Sequence, residues 1–101
     1  LGQKNLMVEF TADWCPNCKF LEKTVLTPKH LAGIEQKYAM NFMRVDLTYK
    51  NQGGEKLLRA LDSVSIPLVA LFSSKEPDSP LILRDIFTRG QLTRALEQEL
   101  E

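Results

Sequence analysis

Residues 10–23 read FTADWCPNCKFLEK and contain both cysteines of the chain, Cys15 and Cys18. The residues before this pair alternate as in a β-strand, whereas those after it recur at helical spacing. Cys15 is therefore expected where a strand ends and a helix begins, and Cys18 one turn inside that helix. The unpaired N–H groups and the macrodipole of a helix N-terminus favour an anion, so this position favours the thiolate of Cys15.

Three kinds of site fit two cysteines at this spacing. A structural disulfide is disfavoured because a pair three residues apart closes too short a loop to constrain the unfolded chain. A structural zinc site takes four N or S ligands. The chain offers only Cys15, Cys18 and the single His30, which we expect to be solvated, so zinc would have to be shared between two chains. A redox pair, with Cys15 as the nucleophile and Cys18 as the resolving thiol, fits best.

Composition predicts one compact domain over residues 1–101 and excludes several classes of function. The chain has 101 residues, of which 44% are hydrophobic, and its thirteen Lys and Arg balance thirteen Asp and Glu. A net charge of zero lacks the excess positive charge that is typical of proteins that bind nucleic acid or an anionic membrane. No apolar run reaches the length of a membrane span. Because the first predicted strand begins close to residue 1, we expect a monomeric domain cut from a longer precursor or a multidomain protein.

Periodicity predicts an alternation of strands and helices. The helix after Cys18 is expected to face inward through Phe20, Leu21, Thr24 and Val25, and Pro28 to restart or kink it. The connection at 74–80 is too short for a parallel crossover and predicts a hairpin. These signals predict an α/β fold with a central mixed sheet and helices on both faces. The predicted strands are 5–12, 41–47, 66–73 and 81–87, and the helices 16–26, 27–38, 55–64 and one that starts with a Thr88/Gln91 capping box.

Two segments carry a resemblance to known proteins. WCPNCK (14–19) together with SIPLVALF (65–72) resembles the thioredoxin superfamily. VEFTADWCPNCKFLEK (8–23), VDLT (45–48) and the position of Pro67 resemble the C-terminal thioredoxin-like domain of the DsbD family of thiol:disulfide interchange proteins. In that family the domain faces the periplasm, takes electrons from a transmembrane domain and passes them to a periplasmic acceptor domain. The dipeptide Pro16-Asn17 departs from the small apolar pair that is usual there.

Chemistry and resemblance together single out five further residues. Glu9 on a central strand would be a buried carboxyl that moves the proton of Cys18, and Glu22, four residues after Cys18, would assist it. Proline costs a strand a ladder hydrogen bond, so Pro67 is predicted to be a cis-proline beside Ile66, where a partner's extended segment would pair. Trp14 would be an exposed aromatic platform next to the nucleophile.

The predicted function is thiol:disulfide exchange with protein thiols and disulfides through a transient mixed disulfide. The resemblance implies that reducing equivalents pass to extracytoplasmic thiol proteins and that the domain lies at the periplasmic face of the inner membrane. No metal, flavin, nucleotide or other cofactor is expected beyond the Cys15/Cys18 disulfide. The alternatives are a stand-alone thioredoxin-like reductase, an oxidase, or a non-enzymatic module that shares zinc or docks a peptide at Pro67.

Overall fold

The computed structural model describes residues 4–63 and 65–101. Its elements follow the predicted order, and residues 16–38 form two separate helices rather than one kinked helix. Val64, the last residue of the predicted helix 55–64, lies outside the described residues. The elements are β1 (Asn5–Thr11), α1 (Pro16–Thr24), α2 (Pro28–Tyr38), β2 (Met40–Asp46), α3 (Gln52–Ala60), β3 (Leu68–Phe72), β4 (Leu81–Arg84) and α4 (Arg89–Leu100).

The four strands form one mixed sheet in the order β2-β1-β3-β4. β1 pairs with β2 in parallel and with β3 in antiparallel orientation, so β1 is an internal strand. β3 and β4 form the predicted antiparallel hairpin. The predicted central mixed sheet is therefore confirmed.

Helices cover both faces of this sheet. Met7 of β1 belongs to the larger core cluster, to which α1, α2 and α4 contribute residues such as Leu21, Ile34 and Leu92. Val8 and Phe10 of β1 pack in a second cluster with Leu58 of α3. The alternation along β1 thus places its neighbouring side chains in two different cores, as the period of two predicts.

The inward face of α1 differs from the prediction. Leu21 and Val25 are buried, but Phe20 is 52% exposed and Thr24 is exposed as well. Their place in the stripe is taken by Cys18, which is fully buried. The buried face of the helix is therefore rotated toward the cysteine, because positions 18, 21 and 25 follow the i, i+3, i+7 spacing of one helical face.

α3 begins three residues earlier than predicted, at Gln52. The side chain of Asn51 caps it by accepting a hydrogen bond from the N–H of Gly54 at 2.9 Å. A Cβ atom at residue 54 would lie 2.6 Å from Cγ1 of Val45. Glycine here lets the first turn of α3 pack directly against β2, which explains why glycines that indicate a loop lie inside a helix.

The segment between β4 and α4 turns sharply toward the cysteines. Asp85 has a left-handed backbone, with φ of 62°, and its N–H donates to the carbonyl oxygen of Pro67 at 2.9 Å. α4 then starts at the predicted capping box, in which the side chains of Thr88 and Gln91 each bond the backbone of the other. Within residues 4–63 and 65–101, no helix is long and apolar enough to cross a membrane.

Candidate active site

Cys15 and Cys18 form a disulfide at the N-terminus of α1, with their Cα atoms 5.3 Å apart. Cys15 is the N-cap residue of the helix, and its sulfur accepts a hydrogen bond from the N–H of Cys18 at 3.2 Å. Cys15 retains 5% of its surface exposed, whereas Cys18 has none. Of the two sulfurs, the one at the helix N-cap is therefore the one that a partner reaches first.

The loop before β3 lies against the cysteine pair. Ile66 packs on the cluster formed by Ala12, Cys15 and Cys18. The peptide bond between Ile66 and Pro67 is cis, as predicted, and Pro67 is buried. Across residues 4–63 and 65–101, no hydrogen bond joins the backbone of Ile66 to another described residue.

Trp14 lies beside this loop and is 64% exposed. Trp14 and Ile66 form part of a groove of about 250 Å³. α3 contributes Glu55 and Arg59 to the same groove, which gives an apolar surface two charged groups at its edge. The predicted aromatic platform thus exists, and it faces a groove that periodicity alone does not reveal. The other lining residues are Leu47, Leu58 and Ser63.

Glu9 is completely buried on β1, as predicted for a central strand. Its Oε1 accepts a hydrogen bond from Nε of Arg44 at 2.7 Å. Arg44 occupies the position of β2 directly opposite Glu9 in the parallel register. Sequence analysis missed Arg44. The sequence does show a cation on the neighbouring predicted strand. Pairing this cation with Glu9 requires the register between β1 and β2, which the sequence does not show.

Glu22 reaches from α1 toward the same carboxyl. Its Oε2 accepts a hydrogen bond from the hydroxyl of Thr11 at 2.7 Å, and its Oε1 lies 3.3 Å from Nζ of Lys19. Lys19 in turn lies 3.2 Å from a carboxylate oxygen of Asp13. Glu22 therefore both pairs with Lys19 and ties α1 to β1. Thr11 is a further member of the site that sequence analysis missed.

The two glutamates hold their protons differently. Burial raises the pKa of Glu9 to about 7, and the hydrogen bond to Glu22 acts in the same direction against the opposing effect of Arg44. Burial also acts to raise the pKa of Glu22, but hydrogen bonds from Glu9, Thr11 and Lys19 outweigh it and lower that pKa. Oε2 of Glu9 is buried and has no hydrogen-bond partner among the described residues, which fits a carboxyl that is protonated rather than charged. Below neutral pH the pair thus carries its proton on Glu9 and its charge on Glu22.

No hydrogen bond joins Glu9 or Glu22 to a sulfur atom within the described part of the chain. The structure places both carboxyls where they were expected, on the internal strand and one turn after Cys18. Their role in moving the proton of Cys18 stays a prediction.

An unexpected contact ties the residue between the cysteines to a distant turn. Nδ2 of Asn17 donates to Oδ1 of Asp85 at 3.1 Å. Through the Asp85 N–H, this turn is also bonded to Pro67. The CPNC segment and the Pro67 loop are therefore connected through a residue that neither motif contains.

No group of three or more His, Cys, Asp or Glu side chains within residues 4–63 and 65–101 is arranged to hold a metal ion. His30, which was expected to be solvated, is half-buried and its Nδ1 lies 2.7 Å from the carbonyl oxygen of Val25. Since a carbonyl only accepts, Nδ1 carries the proton. This contact stabilises the junction of α1 and α2.

A family model and several known proteins are similar to this chain in sequence. Residues 2–74 match a family model described as thioredoxin-like. The thiol:disulfide interchange protein DsbD of Actinobacillus pleuropneumoniae is 32% identical over 76 residues, which are 72% of this chain. DsbD of Campylobacter jejuni is 27% identical over 71 residues, or 70% of the chain. The chain spans only 12% of the length of either relative.

A solved structure shows the same fold over almost the whole chain. The C-terminal domain of DsbD from Neisseria meningitidis, in its oxidised form, superimposes with a TM-score of 0.75. The match covers 97% of this chain and 82% of that domain, at 22% sequence identity. The solved structure thus confirms the predicted thioredoxin-like fold, and the Cys15–Cys18 disulfide lies at the predicted place within it. Because the family model covers most of the sequence and the fold agrees with it, this chain belongs to the thioredoxin-like family.

Proposed function

We propose that this chain is the exchange domain of a longer protein and that it passes reducing equivalents to thiol proteins outside the cytoplasm. The observation that carries the proposal is the Cys15–Cys18 disulfide at the N-terminus of α1, with one sulfur at the helix N-cap and the other buried. Exchange needs an attacking thiolate that a partner can reach and a second thiol that it cannot reach.

The reaction starts from the reduced pair. The Cys15 thiolate attacks one sulfur of a partner disulfide, whose S–S bond breaks as the mixed disulfide forms and whose second sulfur leaves as a thiolate. Cys18 then loses its proton and attacks the sulfur of Cys15. The Cys15–Cys18 disulfide forms again, the partner leaves as a dithiol, and two electrons have passed to it.

Glu9 and Glu22 are proposed to receive the proton of Cys18. A base near its operating pH transfers protons most effectively, and the pKa of Glu9 is about 7. Glu22 follows Cys18 by one helical turn, and its hydrogen bond from Thr11 links α1 to the internal strand that carries Glu9. Arg44, which is partly exposed, connects the same pair to the solvent side of β2.

Trp14, Ile66 and Pro67 are proposed to hold the partner's segment. The backbone groups of Ile66 allow an extended segment to pair with this loop, while an apolar side chain enters the groove beside Trp14. The exposure of Trp14 supports this role, because a solvent-exposed indole next to the nucleophile gains burial when a partner docks.

The position in a longer protein is proposed from the relatives. Because the chain spans 12% of the DsbD relatives, most of such a protein would lie outside it. By analogy with the family, the electron donor would be a transmembrane domain, the acceptor a periplasmic domain, and the location the periplasmic face of the inner membrane.

The first test is the reduction potential of the Cys15/Cys18 pair, titrated in glutathione or dithiothreitol buffers. A donor is expected near the thioredoxin value of about −270 mV or somewhat above it, whereas a value near about −120 mV would contradict the proposed direction of electron flow. In parallel, the Cys18→Ser variant is expected to accumulate a mixed disulfide through Cys15 with insulin, and Cys15→Ser to accumulate none. Stoichiometric zinc in the purified protein without such a complex would favour the zinc-sharing alternative.

A further inference from the structure

Asn17 and Asp85 meet at the edge of the active site although 68 positions separate them. Asn17 lies between the two cysteines, and its amide donates to the Asp85 carboxylate at 3.1 Å. Both residues are exposed, so this contact is not a by-product of core packing. A hydrogen bond to a charged acceptor is stronger than one between neutral groups.

The backbone of Asp85 is fixed independently of its side chain. Its N–H donates to the carbonyl oxygen of Pro67 at 2.9 Å, and its φ of 62° lies in the left-handed region that Asn, Asp and Gly tolerate best. The carboxylate therefore extends from a turn that is already attached to the loop before β3. The result is a continuous connection from Asn17 through Asp85 to Pro67.

We propose that Asn17 and Asp85 are a positioning pair that sets the separation between the Cys15 turn and the Ile66–Pro67 loop. This inference rests on the proposed function, because the partner's segment would lie between these two parts of the site. Cys15 belongs to the start of α1 and Ile66 to the approach to β3, which are far apart in the chain. Ile66 packs on the cysteines, and the Asn17–Asp85 bond adds a polar contact with defined direction.

The separation matters because exchange requires alignment. The attacking sulfur must approach along the axis of the partner's S–S bond, and small displacements of reacting groups slow a reaction strongly. The exchange rate of a protein segment that contacts both Cys15 and Ile66 depends on the distance between these two residues. A small disulfide that touches only Cys15 does not. The pair is therefore expected to affect large substrates selectively.

The test compares reduction of insulin with reduction of glutathione disulfide by the same reduced variants. Asp85→Gly keeps the left-handed turn but removes the acceptor, and is expected to lower kcat/KM for insulin by about threefold to tenfold, mostly through KM. The rate with glutathione disulfide and the reduction potential are expected to stay unchanged. Asp85→Asn is expected to restore insulin reduction, because its amide oxygen accepts the same hydrogen bond.

A double-mutant cycle tests the pairing itself. Asn17→Ala is expected to match Asp85→Gly, and the double variant to be no slower than either single variant, because all three lack the same bond. Asp62→Gly is the matched control: Asp62 is also exposed with a left-handed φ of 58°, and its contact with Arg84 uses its backbone carbonyl, which glycine keeps. Its replacement is expected to change neither rate.

Three results would each contradict the proposed positioning pair. They are additive effects of the two substitutions, an equal loss of rate with both substrates, and an Asp85→Asn variant that is as slow as Asp85→Gly. A wild type that reduces insulin no faster than Asp85→Gly does would contradict it as well. A wild type that exchanges with neither substrate would overturn the proposed function, and the positioning pair with it.

Discussion

The two faces of β1 differ in how they are filled, although both are buried. One face carries Val8 and Phe10, which pack with apolar residues around α3. The other carries Met7, Glu9 and Thr11, and includes a carboxyl and a hydroxyl in the interior. The first face contributes to stability through apolar burial alone. The second contains groups that cost stability unless they find partners.

The polar face shows where burial of a polar group lowers the stability of this molecule. Glu9 is tolerated because it is protonated below neutral pH and because its Oε1 accepts a hydrogen bond from Arg44. An apolar side chain would fill the same position without these requirements. The presence of this buried titratable group should make the free energy of unfolding depend on pH through this face of β1.

The largest effect on stability is expected on the apolar face. Phe10→Ala removes a fully buried aromatic ring and should lower the free energy of unfolding by about 3–5 kcal/mol. The loss should be the same at acidic and alkaline pH, because the ring packs in a cluster of apolar side chains. Urea unfolding of the oxidised protein measures it. A loss that varied with pH would break the contrast between the faces.

An intermediate effect is expected for Glu9→Gln. The folded state holds the Glu9 proton up to a pKa of about 7, above the ordinary value of 4.5, so between these values the folded state binds more protons than the unfolded state. Wild-type stability should therefore fall as the pH rises through this window and level off above it. Relative to wild type, the variant should gain on the order of 2–3 kcal/mol between about pH 4.5 and pH 8.

The matched control for Glu9→Gln is Glu22→Gln, studied by the same urea titrations. The pKa of Glu22 is lowered, so its stabilisation is present above its ordinary pKa and is lost as the pH falls through the lower value. The contribution of Glu22 to stability thus titrates below pH 4.5. In Glu22→Gln, most of the pH dependence that comes from Glu9 should remain, because burial is the largest cause of the raised Glu9 pKa. Unchanged pH dependence in Glu9→Gln would show that another group titrates in this window.

Glu9→Gln should also slow exchange if Glu9 receives the Cys18 proton. We expect the release of the mixed disulfide to be slower by roughly tenfold or more, with the pH dependence near 7 removed. Stopped-flow measurement of this step across pH, with Asp78→Asn as an exposed acidic control, separates the effect from a general change in charge. Release at the wild-type rate would restrict Glu9 to a structural role.

The smallest effect on stability is expected for Thr11→Val, which keeps the shape but removes the hydroxyl that donates to Glu22. The free energy of unfolding should fall by about 1–2 kcal/mol at neutral pH and by less below the pKa of Glu22. Thr93→Val, which removes an exposed hydroxyl bonded to the Arg89 carbonyl, should change stability less. Equal losses in both variants would mean that the Thr11–Glu22 bond contributes nothing specific.

Much of this fold follows from local patterns in the sequence. The alternation along β1, the helix start at Pro28, the short hairpin connection and the Thr88/Gln91 capping box all act within a few residues, so they could be predicted. Phe20 was assigned to the buried face wrongly. Its spacing fits a helical stripe, but where that stripe faces depends on which side of α1 meets the sheet.

Some features of the candidate site also follow from local sequence, whereas others depend on contacts between distant elements. Cys15, Cys18 and Glu22 belong to one helix, so their relative positions follow from helical spacing. The pattern of its strand left open whether Glu9 is buried on a central strand or exposed on an edge strand, and the family resemblance favoured the buried position. The groove beside Trp14 could not be predicted, because residues from α3 form one of its walls.

By itself, the sequence determined the redox pair, the helix that carries it and the alternation of side chains along β1, because these depend on neighbours along the chain. Tertiary structure alone decided that Arg44 meets Glu9, that Thr11 meets Glu22 and that Asp85 reaches Asn17. Each of these contacts joins separate elements through strand register or a turn. Their partners are chosen by packing of the whole sheet, which no local pattern encodes.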